Sequence, residues 1–243
     1  MKQSVFTIKS NSFLTDNVLE MKLTGDTSDI KKPGQFVNIR LDGLYLRRPV
    51  SVCDCEKDEL TIVYKVVGKG TQLMSEYESG VKLDLLTGLG NGFDIKKSGD
   101  KPLLIGGGVG VPPMYLLCKK LIEAGKKPTV ILGFNTAKEI FYKEKFEELG
   151  VETIVTTVDG SYGIKGFVTD AVKELEYTYY FCCGPMPMLK AVYSTCEKDG
   201  QLSFEERMGC GFGACRGCSC KTITGYKRIC TEGPVLLKEE IIW

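Results

Sequence analysis

Pro102-Leu-Leu-Ile-Gly-Gly-Gly-Val-Gly-Val-Pro-Pro113 reads as an apolar strand, a glycine turn and a helix opened by proline. Proline suits the first helical turn, where an N–H would have no partner in any case. The final glycine of G-x-G-x-x-G is absent, so a tight strand-to-helix turn is as good a reading of this stretch alone as a dinucleotide site. Downstream the pattern alternates. Strands are expected at 129–132, 152–156 and 179–183, and helices at 138–149, 168–175 and 187–196. Alternation of this kind gives a parallel, Rossmann-like sheet. Upstream, six short runs rich in β-branched residues are separated by turn residues, at 5–8, 18–23, 36–41, 49–53, 60–67 and 81–86. That spacing predicts an antiparallel barrel or sandwich, with a short helix over Gln72 to Tyr77.

A third pattern lies near the end. In Glu206-Arg-Met-Gly-Cys-Gly-Phe-Gly-Ala-Cys-Arg-Gly-Cys-Ser-Cys220, Cys210, Cys215 and Cys218 are separated by four and then two residues, and Cys230 follows. This C-x4-C-x2-C…C spacing is that of a plant-type [2Fe–2S] cluster. Gly209, Gly211, Gly213 and Gly217 let the backbone wrap closely and turn its amides toward an anionic cluster. A structural zinc is the competing reading, but zinc sites usually pair their cysteines twice over at short spacing. Cys220 does not fit the two-residue spacing and is set aside as a bystander.

Composition narrows the function. The 32 basic and 31 acidic residues nearly cancel, so neither a nucleic-acid footprint nor a polybasic membrane patch is expected. No apolar run reaches the ~20 residues of a membrane span, and residues 1–9 lack the apolar core of a signal peptide. The chain is expected in the cytoplasm, where clustered cysteines usually signify metal or catalysis. Eleven cysteines, an odd number, also suit a complete disulfide framework badly. The absence of histidine excludes His-ligated zinc or haem, a Rieske centre and a Ser-His-Asp triad.

Two further motifs occur in the barrel region. Arg47-Arg-Pro-Val-Ser51 sets a guanidinium and a hydroxyl beside a strand, and Gly68-Lys-Gly-Thr71 leads into the short helix. A guanidinium fork and a glycine turn before a helix both suit phosphate, although either alone is commonly structural. Together with Val63-Tyr-Lys65, they resemble the flavin barrel of the ferredoxin-reductase superfamily. The resemblance implies that Arg48, Pro49, Val50, Ser51, Val63, Tyr64, Lys65, Gly70 and Thr71 contact FAD. Lys65 stands where many relatives carry Arg, which keeps the charge but not the bidentate geometry. The glycine run is similar to the NAD(P) loop of that superfamily, and Cys183-Gly-Pro-Met-Pro-Met188 to its nicotinamide-side signature. Gly106, Gly107, Gly108, Gly110, Cys183, Gly184 and Pro185 are thereby implied for NAD. No basic cluster follows 129–134 to hold a 2′-phosphate, so NAD is expected rather than NADP, with Lys138 leaving NADP open.

The expected chain is thus multi-domain, β and α/β. It comprises an FAD-binding barrel over 1–98, a Rossmann-like parallel-sheet NAD domain over 99–202 and a small C-terminal [2Fe–2S] module over 203–243. A nicotinamide moves two electrons at once and a cluster moves one; a flavin does both and belongs between them. No stretch is left for a substrate domain such as a ~250-residue barrel, so the cluster is expected to exchange electrons with another polypeptide. Arg207–Cys218, Cys230–Val235, Asp159–Gly166 and Asn91-Gly-Phe-Asp94 resemble the electron-transfer subunits of class 1B dihydroorotate dehydrogenases. Arg216-Gly217 and the extra Cys220 depart from that pattern. The resemblance implies an FMN-containing catalytic partner, a heterotetramer of two subunits of each kind, and electron flow from dihydroorotate through FMN, cluster and FAD to NAD+ in pyrimidine biosynthesis. Cys210, Cys215, Cys218 and Cys230 would hold the cluster. Related subunits of sulfite reductases, hydrogenases and NADH:ferredoxin reductases share barrel and sheet and are the alternative. A zinc-stabilised binding module with an oligonucleotide-binding barrel is the alternative from another class.

Overall fold

Val37 and Ile39 are buried among the apolar residues of the N-terminal sheet, while Phe36 joins a different core shared with the far end of the chain. This two-residue period of a strand recurs around a closed barrel. The computed structural model describes residues 1–243. Its strands β1 (Lys2–Thr15), β2 (Val18–Thr24), β3 (Phe36–Ile39), β4 (Arg48–Glu56), β5 (Glu59–Lys65) and β6 (Lys82–Leu89) close in the order β1-β2-β5-β4-β3-β6. Closure removes free sheet edges, and Phe6, Met21, Val37, Ile62 and Leu85 fill the interior. The short helix α1 (Lys69–Ser75) starts three residues earlier than the sequence suggests. Gly68 is fully extended before it, and the Thr71 hydroxyl accepts from the Val67 and Gly68 N–H groups, which ends the extended chain there.

The second sheet contains β7 (Pro102–Gly107), β8 (Thr129–Phe134), β9 (Glu152–Thr157), β10 (Ile164–Lys165), β11 (Tyr179–Cys183) and β12 (Gly200–Ser203). All six are parallel; β7, buried along its whole length, lies at the middle, as a strand covered on both faces should. Helices α2 (Pro112–Glu123), α3 (Lys143–Glu148), α4 (Val168–Val172) and α5 (Met186–Thr195) connect them. The helix expected over 138–149 is broken into a 3-10 turn, Ala137–Glu139, and α3. Phe141 and Tyr142 both turn inward between them, and Tyr142 takes a left-handed φ of 68° to do so. The helix expected to reach Leu175 stops at Val172.

A hairpin, β13 (Ser219–Thr222) with β14 (Gly225–Arg228), and a last strand, β15 (Val235–Leu237), complete the chain. They and β12 were not anticipated from the sequence. β15 pairs antiparallel with β12, giving the sheet order β10-β9-β8-β7-β11-β12-β15. Cys218, Ile229 and Cys230 lie in one core with Leu103, Ile105 and Tyr180 of the sheet and Phe36, Leu86 and Leu89 of the barrel. The cysteine segment therefore packs on the other two parts and has no separate core.

Asn91, just after the barrel closes, ties this arrangement together. Its Nδ2 donates to the carbonyls of Glu232 (3.0 Å) and Val235 (2.7 Å), and its Oδ1 accepts from the Val235 N–H (3.1 Å). Its own N–H donates to Gly233 O at 2.6 Å. Replacing Asn91 by Ala strands two carbonyls and one N–H, and we expect a loss of about 1–3 kcal/mol. Denaturant unfolding of the variant would measure it, and an unchanged midpoint would show that water replaces the clamp.

Candidate cofactor cleft and cysteine loop

After β7 the chain adds β8, β9 and β10 on one side, then returns to place β11 and β12 on the other. The carboxyl ends of β7 and β11 are therefore a topological switch point, where open α/β sheets leave a crevice for ligands. Gly106 of β7 lies opposite Cys183 of β11. The glycines here are required by close approach. A Cβ at Gly110 would lie 2.3 Å from the Cys183 carbonyl oxygen, and one at Gly107 would lie 2.3 Å from Met188 Sδ. Gly108 differs: its φ is +51° and nothing stands within 4 Å of a Cβ built there, so its face is open to a ligand.

A cleft of about 230 Å³ opens at this point. Pro49, Val50 and Ser51 of the barrel form one wall, and Gly107, Gly110, Cys183, Gly184 and Pro185 form another. Phe204, Glu205, Glu206 and Met208, which lead into the cysteine loop, form the third. Eight residues implied separately for FAD and NAD thus share one cavity. Phe36, Phe204, Glu205 and Met208 are wall residues that the sequence reading missed. Strand parity pointed only to Phe36, and parity has no meaning until the sheet is known; Phe204, Glu205 and Met208 follow the end of β12, where no local pattern marks them.

Arg48 and the glycine turn are also brought together. The guanidinium lies against α1, where a Cβ at Gly70 would sit 2.1 Å from Arg48 Nε. Arg47 grips Asp84 through both terminal nitrogens at 3.0 Å, whereas Arg48 donates only to the Leu46 carbonyl and has no carboxylate partner. Thr71 spends its hydroxyl on the turn itself. Strand β5 divides its motif between two sides. Tyr64 turns into the barrel, where its hydroxyl donates to Asn11 Oδ1 at 2.9 Å and burial raises it to about 12. Its ring is not at the cleft. Val63 packs in the core between barrel and sheet, and Lys65 is half-buried.

The four cysteines form two neighbouring pairs. Cys210 adjoins Cys215, and Cys218 adjoins Cys230. No three acidic, histidine or cysteine side chains converge as a site for a single ion, and all eleven cysteines are free thiols. Backbone amides point at sulfur: Cys215 N–H at Cys210 Sγ and Gly217 N–H at Cys215 Sγ, each at 3.4 Å. Partial burial raises the Cys210 thiol, but the amides of Cys215, Phe212 and Ala214 outweigh it and bring it down to about 6. Cys230 is pushed up to about 12, by burial first and then by the Cys218 thiol. Arg228 closes the loop, donating from Nη1 to Gly213 O (3.0 Å) while its Nε holds Glu232 (2.9 Å). Cys220 lies on β13 opposite Lys227, in the hairpin that follows.

Comparison with known proteins agrees with this geometry. The iron-sulfur cluster binding domain of dihydroorotate dehydrogenase B matches residues 205–242, and the oxidoreductase NAD-binding domain matches residues 104–194. The dihydroorotate dehydrogenase B (NAD(+)) electron transfer subunit of Fusobacterium nucleatum is 42% identical, covering 99% of each chain. That of Bacillus pumilus is 44% identical, over 99% of this chain and 98% of its own. The chain belongs to the family of dihydroorotate dehydrogenase B electron transfer subunits. Among solved structures, an NADH-dependent reduced ferredoxin-NADP oxidoreductase superposes with a TM-score of 0.89 at 31% identity, covering 98% of this chain and 90% of its own. A ferredoxin NADP+ reductase from Neisseria gonorrhoeae shares the fold, with a TM-score of 0.71 at 17% identity over 80% of this chain and 90% of its own.

The residues present suit the cofactors of this superfamily. An unpaired guanidinium beside a glycine turn fits a phosphate, an open glycine at a switch point fits a pyrophosphate, and paired thiols under backbone amides fit a two-iron cluster. Replacing Cys215 by Ser should abolish cluster assembly while FAD stays bound, because the thiol lies outside the barrel. Iron, sulfide and flavin analysis of the purified variant would show this; wild-type iron content would refute the ligand assignment. Replacing Arg48 by Ala should weaken FAD roughly tenfold to a hundredfold, as loss of one charge-assisted bond of ~1.5–3 kcal/mol implies. Flavin retained through exhaustive dialysis would make Arg48 structural.

Proposed function

We propose that this chain is the electron-transfer subunit of an NAD-dependent dihydroorotate dehydrogenase, and that it works with an FMN-containing catalytic subunit in an assembly of two chains of each kind. In this reading electrons from dihydroorotate enter at the cysteine loop and leave as reduced nicotinamide, a step in pyrimidine biosynthesis. The observation that carries the reading is the shared cleft, whose three walls come from the barrel, the switch point and the segment leading to Cys210. The flavin, when bound, converts between two-electron and one-electron transfer.

The chain's own residues bind, orient and exclude water. Arg48 and the Gly68–Thr71 turn would hold the FAD phosphates, and Pro49, Val50 and Ser51 would seat the ring against β4. Lys65 would contact the cofactor by side chain and residue 64 by its backbone, since the Tyr64 ring is committed to the barrel, while Val63, packed between barrel and sheet, would offer only its backbone. The Gly106–Gly110 turn would admit the NAD pyrophosphate at Gly108, with Cys183, Gly184 and Pro185 across from it. Glu139, whose carboxylate accepts from the Asn135 N–H (3.1 Å) and Nδ2 (2.8 Å), puts negative charge after β8, which favours a ribose hydroxyl over a 2′-phosphate. Cys210, Cys215, Cys218 and Cys230 would ligate the cluster. The low Cys210 thiol supplies a ligand already ionised near neutral pH, and ligation would displace the proton of Cys230. Phe212, exposed on the cysteine loop, would face the partner subunit.

In this reading barrel, sheet and cysteine loop are all committed to cofactors, so the test separates the two subunits. Alone, it should pass electrons from NADH to artificial acceptors and leave dihydroorotate untouched. Mixed with an FMN-containing dihydroorotate dehydrogenase, it should confer dihydroorotate-dependent NAD+ reduction, and the Cys215→Ser variant should not. Oxidation of dihydroorotate by this chain alone would refute the reading, as would undiminished NAD+ reduction with the cluster-free variant.

A further inference from the structure

Alternation along β3 sends Val37 and Ile39 into the barrel and turns Phe36 and Asn38 the other way. Phe36 is a wall of the cofactor cleft. Asn38, two residues on, is 1% exposed and donates from Nδ2 to the carbonyl of Cys210 at 3.2 Å. Gly211, the next residue of the loop, has a φ of +79°, and a Cβ there would lie 2.3 Å from the same Nδ2. Across the ladder Asn38 faces Pro49, another cleft residue. Its own carbonyl is held by Arg47 Nη1 at 3.2 Å, and Arg47 is anchored by Asp84. One side chain therefore joins the strand behind the flavin side of the cleft to the residue implied as the first cluster ligand.

A second observation gives that contact weight. Asn38 Oδ1 is buried and has no hydrogen-bond partner. An orphaned buried amide oxygen is costly, and an apolar side chain of the same size would avoid the cost. What Asn supplies here, and Leu would not, is the N–H on Cys210. We propose that Asn38 is a positioning residue: by pinning the Cys210 carbonyl to β3 it sets the separation and mutual orientation of the flavin cleft and the iron-sulfur cluster. Asn38 touches neither cofactor in this role and acts through Cys210 and Gly211.

This inference rests on the functional reading above, and its test is arranged to tell the two apart. The holoprotein, Asn38→Leu and Asn38→Asp would be purified anaerobically and assayed for iron, sulfide and flavin. The Asp variant is isosteric, loses the N–H and stands in if the Leu variant fails to fold. Mixing with NADH in a stopped flow follows flavin and cluster absorbance separately. Flavin content and the rate of flavin reduction should match the parent, while the later electron passage to the cluster slows about tenfold, as loss of positional control implies. Iron should also escape faster to a chelator in the absence of any reductant, and the electron paramagnetic resonance signal of the reduced cluster should change shape. Parental transfer rate and parental iron release in the variants would overturn the positioning role, as would a variant whose only defect is a lower melting temperature. A parent protein that holds no iron or flavin would instead sink the functional reading, and the positioning role with it, before any variant is compared.

Discussion

The pairing of β15 with β12, with Asn91 clamped across Glu232 and Val235, is the constraint on which the remaining arrangement depends. The segment after residue 203 is too short to bury a core of its own, and small units without one need a staple or a host. Here it borrows both. Two of its five cysteines, Cys218 and Cys230, sit in the core beneath the parallel sheet, packed with residues of the barrel. The cysteine loop is thereby carried on the edge of a sheet whose switch point opens beside it. Loops held by rigid elements place reactive groups better than free ones.

Close backbone approach is the second device. Gly107, Gly110 and Gly184 let the turn after β7 touch the end of β11 and Met188 with no side chain between them. Gly70 does the same for Arg48, whose guanidinium could not lie against α1 if residue 70 carried a Cβ. In each case the missing Cβ is what permits the approach. The barrel and the sheet are joined on their other flank by Tyr142, which donates to the buried Glu20 at 2.6 Å while Lys145 pairs with the same carboxylate. Burial alone would raise Glu20; these two partners and Lys22 keep it below the ordinary range. Loss of either partner would leave that buried carboxylate poorly compensated.

Electrostatics within the cysteine loop follow from the same economy. Thiolates that are to hold a cluster need positive partners. The loop provides them from backbone N–H groups: those of Phe212, Ala214 and Cys215 for Cys210, and that of Gly217 for Cys215. Arg228 supplies a full charge nearby, but spends it on Glu232 and on the Gly213 carbonyl, where it holds the loop's shape.

What the sequence determined by itself was whatever is encoded within a few residues. The two-residue and helical periods separated barrel from parallel sheet, the x4 and x2 spacings identified the cysteine loop, and the glycine run marked the turn after β7. Tertiary structure decided everything that depends on which face of an element meets which neighbour. Tyr64 belongs to a cofactor motif in the sequence, yet only closure of the barrel reveals that its ring is inside. Phe141 and Tyr142 have helix-compatible spacing, but the core between α2 and the sheet draws both rings inward and breaks the helix. Phe204, Glu205 and Met208 become a cleft wall, and Asn38 and Asn91 become junctions, through contacts with residues more than a hundred positions away or across separate sheets. No local pattern records such pairings, because their free energy is released only after the long loops between them have closed.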